Sequence, residues 1–350
     1  MFGALRLLLA LLVALSHVGV SLRGYHLGVP AVVGFFLLSG YVIDALVGPG
    51  GPLHGRPLAF YGERAVRLLP PYALAAALGA AAIAAGVASP FLAGAHQPWL
   101  WLANAVVLPL NYASLLPVLD TLALVPPAWS LALELHFYLL APWLLRAPAR
   151  VLAAAATLTL AVASAAWWGW LPSDAWGYRL LAGNLYVFLS GAWLHRVLQQ
   201  RQPAWPLWLA WAVVVAQSAA LYGHGRWGQP FVAEVTLGYA VGLPLVAALA
   251  RLPRQRWDDA LAHLAYSVFL GHYAVLWHLG HLGWLTADGR PLAVYVAATL
   301  ALAALLHILA ERPARAWRHR LRSRTVAPPQ HVAPRGVKRP EKSDARRLPL

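Results

Sequence analysis

Residues 5–20 read LRLLLALLVALSHVGV, an apolar run with one arginine near its start and one histidine near its end. A helix of about 20 apolar residues spans the hydrocarbon core of a membrane, so the run predicts a transmembrane helix. An ionisable imidazole inside such a helix is costly and is kept mostly where it faces a cavity or does chemistry. His17 is therefore a candidate catalytic residue. Arg6 precedes it by eleven residues, about 16 Å of helical rise.

The composition of the whole chain also indicates a membrane protein. Hydrophobic residues make up 60% of the 350 residues, charged residues make up 11%, and the mean hydropathy is +0.60. A soluble fold of this length has too little polar surface to cover that many apolar side chains. The chain has no cysteine, which excludes disulfides, a thiol nucleophile and thiolate metal sites.

The hydropathy pattern predicts an all-α, polytopic fold with about ten transmembrane helices. Segment 98–111 is also apolar, but it is short and bracketed by proline and asparagine, so we interpret it as re-entrant or interfacial. The predicted spans are 4–21, 28–47, 67–88, 128–145, 151–170, 179–198, 205–222, 230–250, 260–281 and 291–309.

The distribution of Lys and Arg predicts that both termini are cytoplasmic. Ten crossings place 23 of the 27 basic residues on one side and leave only Arg23, Arg179, Arg226 and Arg290 on the other. Cytoplasmic loops carry such an excess of positive charge. Residues 1–321 would form the transmembrane domain. Residues 322–350 are basic and rich in proline, so we expect a disordered tail that contacts anionic lipid rather than nucleic acid.

Two arginines lie close to the predicted start of the third span, in YGERAVRLLPPY (61–72). Arg64 and Arg67 are three residues apart, so they share a helix face. Guanidinium groups bind phosphate oxygens in a bidentate manner, which points to an anionic substrate that Arg6 would also contact. The alternative is that both are interfacial residues whose side chains reach the lipid headgroups.

Polar residues also interrupt two other apolar spans. GFFLLSGYVI (34–43) contains Ser39 and Gly40, small residues that allow helices to approach closely. PPAWSLALELHFYLLAPWLL (126–145) contains Glu134 and His136. A buried carboxylate needs a cationic or hydrogen-bonding partner. Glu134 and His17 have similar predicted depths, so we predict that they pair, with Glu234 as the second candidate partner.

The last two predicted spans contain further titratable residues. His278 and His281 are spaced as a potential metal pair, but no carboxylate accompanies them, so we expect no metal site. Glu311 precedes Arg312 at the predicted inner boundary, and we expect Glu311 to be an interfacial ion-pair partner. The same predicted helix as His278 also carries His263 and His272.

Six phrases, taken in order, resemble the membrane acyltransferase 3 family of bacterial O-acyltransferases. They extend over about residues 3–318 and read LRLLLALLVALSH, GFFLLSGYVI, FYGERAVRLLPPY, PAWSLALELHFYLLAPWLL, LAYSVFLGHYAVL and AERPARAW. The resemblance implies transfer of an acyl group, usually acetyl, from cytoplasmic acyl-CoA at the bacterial inner membrane. The implied acceptor is a hydroxyl of a carbohydrate, a lipid-linked glycan or a macrolide. Acyl-CoA would be a substrate, and we expect no permanently bound cofactor.

The resemblance also implies roles for the candidate residues. The histidine matching His17 would be essential, and the arginines matching Arg64 and Arg67 would serve the donor. We expect His17 to act as a general base or as a transient acyl carrier, with Glu134 orienting its ring. Ser39 and Gly40 would support helix packing or donate to the thioester oxyanion, and His272 is a further supporting candidate.

Two other classes of protein remain as alternatives. Buried His and Glu residues also form proton relays in transporters, here of a proton-coupled solute or of an acylated glycan. Transporters commonly show internal repeats, and this sequence shows none. A non-catalytic membrane scaffold would leave the buried His and Glu residues unexplained.

Overall fold

The fold is a bundle of helices. It is a computed structural model that describes residues 2–253, 255–286, 288–315 and 317. One short antiparallel pair, β1 (Ser21–Leu22) and β2 (Tyr25–His26), follows the first helix. The α-helices are α1 Phe2–Ser16, α2 Gly28–Val47, α3 Pro57–Ala84, α4 Pro98–Val106, α5 Ala128–Leu144, α6 Ala149–Trp167, α7 Leu181–Gln199, α8 Trp205–Gly223, α9 Val232–Leu249, α10 Arg256–His281 and α11 Leu292–Leu306.

Helix length and composition support a multi-pass membrane protein. Within the described residues, seven helices are long and apolar enough to cross a membrane: α2, α3, α6, α8, α9, α10 and α11 with its continuation to Arg315. Of the other predicted spans, α1 has 15 residues, α5 has 17, and α7 carries His195 and Arg196. The all-helical membrane fold is confirmed, whereas the count of ten crossings stays a prediction. The predicted tail, residues 322–350, and its boundary lie outside the described residues.

The third helix begins ten residues earlier than hydropathy predicted. It starts at Pro57, a residue suited to the first turn of a helix, and runs for 28 residues. Glu63, Arg64 and Arg67 lower the hydropathy of this stretch without preventing helix formation. Arg64 and Arg67 consequently lie two to three turns inside α3 rather than at the start of a span.

The packing of α1 and α2 positions the residues of interest. The backbone N–H groups of Gly3 and Ala4 donate to the Asp258 carboxylate on α10, at 2.9 and 2.8 Å. This contact supplies partners for donors that the start of a helix leaves unpaired. On α2, a Cβ added at Gly40 would lie 1.8 Å from the Phe188 carbonyl oxygen of α7. Helices α2 and α7 therefore approach each other closely at Gly40.

Candidate active site

Three neighbouring cavities follow one another through the bundle. The arginine cavity has a volume of about 230 Å³, and its lining includes Arg6, Arg67, His263, Tyr266, Glu311 and Arg315. The middle cavity, about 110 Å³, shares Arg6, Arg67, Ala262 and Tyr266 with it. The middle cavity also contains Ser39, Arg64, Glu134 and Tyr138.

The histidine cavity adjoins the middle cavity and is larger, about 360 Å³. The two have only Val32, Ser130 and Phe269 in common. The polar and aromatic lining of the histidine cavity includes His17, His26, Asp120, Trp129, Tyr178, Arg179 and Tyr273. The candidate histidine and the candidate arginines therefore occupy different cavities, and each cavity shares lining residues with the next.

His17 lies in the turn that directly follows α1 and is exposed to the histidine cavity. Its Nδ1 is 3.0 Å from Nε2 of His272, which is fully buried on α10. The two rings are stacked, with centroids 5.1 Å apart and planes inclined by 9°. His272, predicted only as a supporting residue, is thus the direct partner of His17.

For two neutral rings, the hydrogen bonds assign which nitrogens carry protons. Nδ1 of His272 is 3.2 Å from the Val268 carbonyl oxygen. A carbonyl oxygen only accepts, so this nitrogen carries the proton and Nε2 of neutral His272 is an acceptor. His17 then donates from Nδ1 to His272. Its remaining ring nitrogen, Nε2, holds a lone pair, which is the arrangement that a general base requires.

The predicted pairing of His17 with Glu134 is wrong. Glu134 lines the middle cavity, where its Oε1 accepts hydrogen bonds from Ser39 and Tyr138, both at 2.6 Å. The other candidate, Glu234, accepts from the backbone N–H of His26 at 3.3 Å. Similar depth in the membrane does not bring side chains together, because lateral packing decides which helices are neighbours.

The two arginines of α3 both line the middle cavity, but their surroundings differ. Arg64 is only 4% exposed, and its Nη2 donates to Glu63 at 2.9 Å. The side chain of Arg67 is exposed, and it lines the arginine cavity as well as the middle cavity. Among the described residues, neither Arg6 nor Arg67 forms an ion pair with a carboxylate. Arg67 is therefore the better placed of the pair to bind an anion.

The oxyanion role of Ser39 and Gly40 stays a prediction, and both residues have partners in the structure. The Ser39 hydroxyl donates to Glu134, and Gly40 packs against the Phe188 carbonyl. The Ser39 hydroxyl gives the Glu134 carboxylate a hydrogen bond, and a desolvated carboxylate needs such a partner.

Arg179 and Asp120 are polar residues of the histidine cavity that the sequence did not indicate as functional. Nε of Arg179 donates to Asp174 at 2.7 Å, and its guanidinium lies over the Trp129 ring, 4.7 Å from the centroid. Burial raises the pKa of the Asp120 carboxyl above its usual range, and the nearby Arg179 charge opposes this shift. The signal for Arg179 was its position among the few basic residues of the loops that are predicted to be non-cytoplasmic.

The remaining candidates have local partners. Nε2 of His278 lies 3.0 Å from the Leu78 carbonyl oxygen, as expected of a core histidine. Nδ1 of His136 lies 2.7 Å from the Ala132 carbonyl oxygen. Glu311 bonds to Ser267 and His307 rather than to Arg312. Over the described ranges, no group of three or more His, Asp or Glu side chains could hold a metal ion.

Comparison with known proteins assigns the chain to a family. A family model described as an acyltransferase domain matches residues 2–309. The chain belongs to the acyltransferase 3 family. An uncharacterized protein of Aquifex aeolicus (strain VF5) is 30% identical over 168 residues, which cover 44% of this chain and 72% of that protein. No solved structure matches the chain.

Membership of the acyltransferase 3 family makes acyl transfer the general activity of this membrane protein. The matched residues include His17, His272 and the arginines of the middle cavity. Within the acyltransferase domain, the geometry therefore singles out an imidazole with an available lone pair and a separate group of guanidiniums.

Proposed function

We propose that this acyltransferase transfers an acyl group, most often acetyl, from cytoplasmic acyl-CoA to a hydroxyl of a glycan or glycosylated acceptor. We further propose that it is an O-acyltransferase of the bacterial inner membrane with both termini in the cytoplasm. The positive-inside bias of the sequence supports this orientation. The observation that carries the proposal is the succession of cavities, with guanidiniums at one end and His17 at the other.

The donor would bind first to the arginines. Arg6 and Arg67 line both the arginine cavity and the middle cavity. Guanidinium forks match phosphate oxygens, so they would hold the phosphates of CoA near the cytoplasmic side. The uncharged pantetheine arm and its thioester would then extend through the middle cavity toward His17.

The acceptor would enter the histidine cavity. Trp129, Tyr178 and Tyr273 offer aromatic surfaces, and Asp120 and Arg179 offer hydrogen-bonding groups. Concave sites with apolar walls and a few polar groups are typical for small-molecule binding. The cavity is thus suited to a sugar ring, with the reacting hydroxyl directed at Nε2 of His17.

The reaction follows from the protonation state of the two histidines. Nε2 of His17 removes the proton of the acceptor hydroxyl as its oxygen attacks the thioester carbonyl. The carbon–sulfur bond breaks, the ester forms, and His17 returns the proton to the CoA thiolate. His272 accepts the Nδ1–H bond throughout and so stabilises the cationic ring of His17 between the two transfers.

Glu134 would act on the donor side. Its carboxylate lines the middle cavity together with Arg6, Arg64 and Arg67. There it balances positive charge in a buried region, and Ser39 and Tyr138 fix its position. We therefore reassign Glu134 from orienting His17 to positioning the arginine side chains.

The test uses purified protein in lipid nanodiscs with acetyl-CoA and a set of acceptors: a lipid-linked oligosaccharide, a simple methyl glycoside and a macrolide. Release of free CoA and mass spectrometry of the acceptor report transfer. His17→Ala should reduce transfer by about 10²–10⁴-fold, the usual contribution of a general base, while CoA binding is kept.

His281→Ala is the matched control, because this residue is an exposed histidine on α10 and lines none of the three cavities. It should transfer at the wild-type rate. Full transfer by His17→Ala would overturn the catalytic assignment. Binding of CoA that does not change when Arg67 is replaced by Ala would place the donor elsewhere.

A further inference from the structure

The arginine cavity contains a third guanidinium that the proposed donor site has not yet used. Arg315 lines this cavity beside Arg6 and Arg67. It lies beyond residues 2–309, which the family model covers. In the part of the chain that the structure describes, none of these three guanidiniums forms an ion pair with a carboxylate. Two carboxylates also line this cavity, so three guanidiniums leave it with an excess of positive charge, which favours an anionic ligand.

A chain of hydrogen bonds holds Arg315 in place. Its Nη2 donates to Nε2 of His307 at 2.7 Å, and Nδ1 of His307 donates to Oε2 of Glu311 at 3.2 Å. The second oxygen of Glu311 accepts from the Ser267 hydroxyl of α10 at 2.6 Å. Arg315 fixes the direction of these hydrogen bonds. A guanidinium can only donate, so Nε2 of His307 must accept.

The backbone and a neighbouring ring support the same arrangement. Residues His307–Glu311 form a π-helical turn, a feature often found at functional sites. The His263 ring stacks on His307, with centroids 5.4 Å apart and planes inclined by 19°. An arginine side chain that is already ordered loses less conformational entropy when it binds a ligand.

We propose that Arg315 binds a phosphate of the nucleotide half of acyl-CoA, and that His307 and Glu311 are its positioning residues. This inference rests on the proposed function, since it takes acyl-CoA as the donor. Arg6, Arg67 and Arg315 would then share the phosphates of one nucleotide. Arg64, which lies three residues before Arg67, donates a hydrogen bond to Glu63 and is almost fully buried.

The experiment measures binding of CoA and of adenosine 3′,5′-bisphosphate to the full chain in nanodiscs. The second probe carries phosphates but lacks the pantetheine arm. Arg315→Ala should weaken both probes about tenfold or more, as expected for a lost charge-assisted contact. Arg315→Lys should recover part of the affinity, because an ammonium keeps the charge but not the fork.

Two further variants separate positioning from general damage. His307→Ala should weaken both probes, and His307→Gln should restore part of the binding, because an amide can accept from Arg315 and donate to Glu311. Arg312→Ala is the control, since Arg312 is exposed on the same helical segment and does not line the cavity. It should bind both probes like the wild type, and unfolding temperatures in detergent monitor the fold.

The outcomes distinguish this inference from the proposed function. Wild-type affinity of Arg315→Ala for both probes, together with weakened binding by Arg67→Ala, would overturn the role of Arg315 and leave the donor intact. Failure of the wild-type protein to bind CoA at all would overturn both. If Arg312→Ala lost as much binding as Arg315→Ala, the loss would reflect general surface charge. That outcome would also overturn the inference.

Discussion

At the scale of single residues, the partner of His17 is unusual because it is a neutral ring. In many hydrolases a carboxylate orients the catalytic imidazole and stabilises its cation. Here Nε2 of His272 takes that place, and the Val268 carbonyl sets its tautomer. A neutral partner costs less to bury in a membrane bundle than a carboxylate does. It also stabilises the imidazolium less.

We predict that His272→Ala lowers kcat and leaves binding of CoA unchanged. The Nδ1–H of His17 would lose its partner, which costs about 1–3 kcal/mol for a buried donor, or about tenfold to a hundredfold in rate. His272→Asn should retain more activity, because its side-chain oxygen can still accept. Kinetics with saturating donor check both variants. Equal activity of Ala and Asn at this position would show that the hydrogen bond is not what matters.

The arginines of α3 give a second residue-scale prediction, because the structure separates roles that their spacing made equivalent. Arg67→Ala should weaken CoA binding with little change in stability. Arg64→Ala should chiefly lower the unfolding temperature, because it removes a partner of buried Glu63. Binding and thermal unfolding, measured on the same preparations, check the difference. A larger loss of CoA affinity in Arg64→Ala than in Arg67→Ala would contradict it.

At the scale of elements, α2 is packed against α7 through glycine. A methyl group on Gly40 would collide with the Phe188 carbonyl, a backbone atom that cannot rotate away. We predict that Gly40→Ala destabilises the protein by at least the 1–3 kcal/mol typical of overpacking, seen as a lower unfolding temperature in detergent. Gly62→Ala is the control, because nothing lies within 4 Å of its added Cβ. Equal stability of the two variants would contradict the close approach.

Hydropathy alone predicted most helices of the bundle, because lipid requires about the same length of apolar helix at each crossing. The span 28–47 coincides with α2, Gly28–Val47. The start of α3 was misplaced, since charged residues inside a protein-lined cavity lower hydropathy without ending a helix. The His17–His272 contact joins residues far apart in the sequence. No local pattern encodes such a contact, and for this reason the sequence predicts Glu134 as the partner instead.

At the scale of the whole molecule, the middle and histidine cavities share only a small part of their lining. Only Val32, Ser130 and Phe269 line both. Val32 and Phe269 are buried apolar residues, and the Ser130 hydroxyl donates to the Pro127 carbonyl at 3.1 Å. The junction between the two cavities is therefore mostly apolar and offers little to hold a water molecule.

This junction also bears on whether protons can leak across the membrane through the protein. If water filled both cavities continuously from one face of the membrane to the other, protons would cross the bilayer, and an apolar junction would oppose this by excluding water. Phe269→Ala should therefore raise the proton permeability of liposomes containing the protein, as measured with an internal pH dye. Phe91→Ala removes a ring that lines the histidine cavity but not the middle cavity. This variant should leave the proton permeability of the liposomes unchanged. If donor and acceptor reach the enzyme from opposite faces of the membrane, as we propose, the protein must also keep the bilayer closed to protons, and Phe269 would contribute to that barrier.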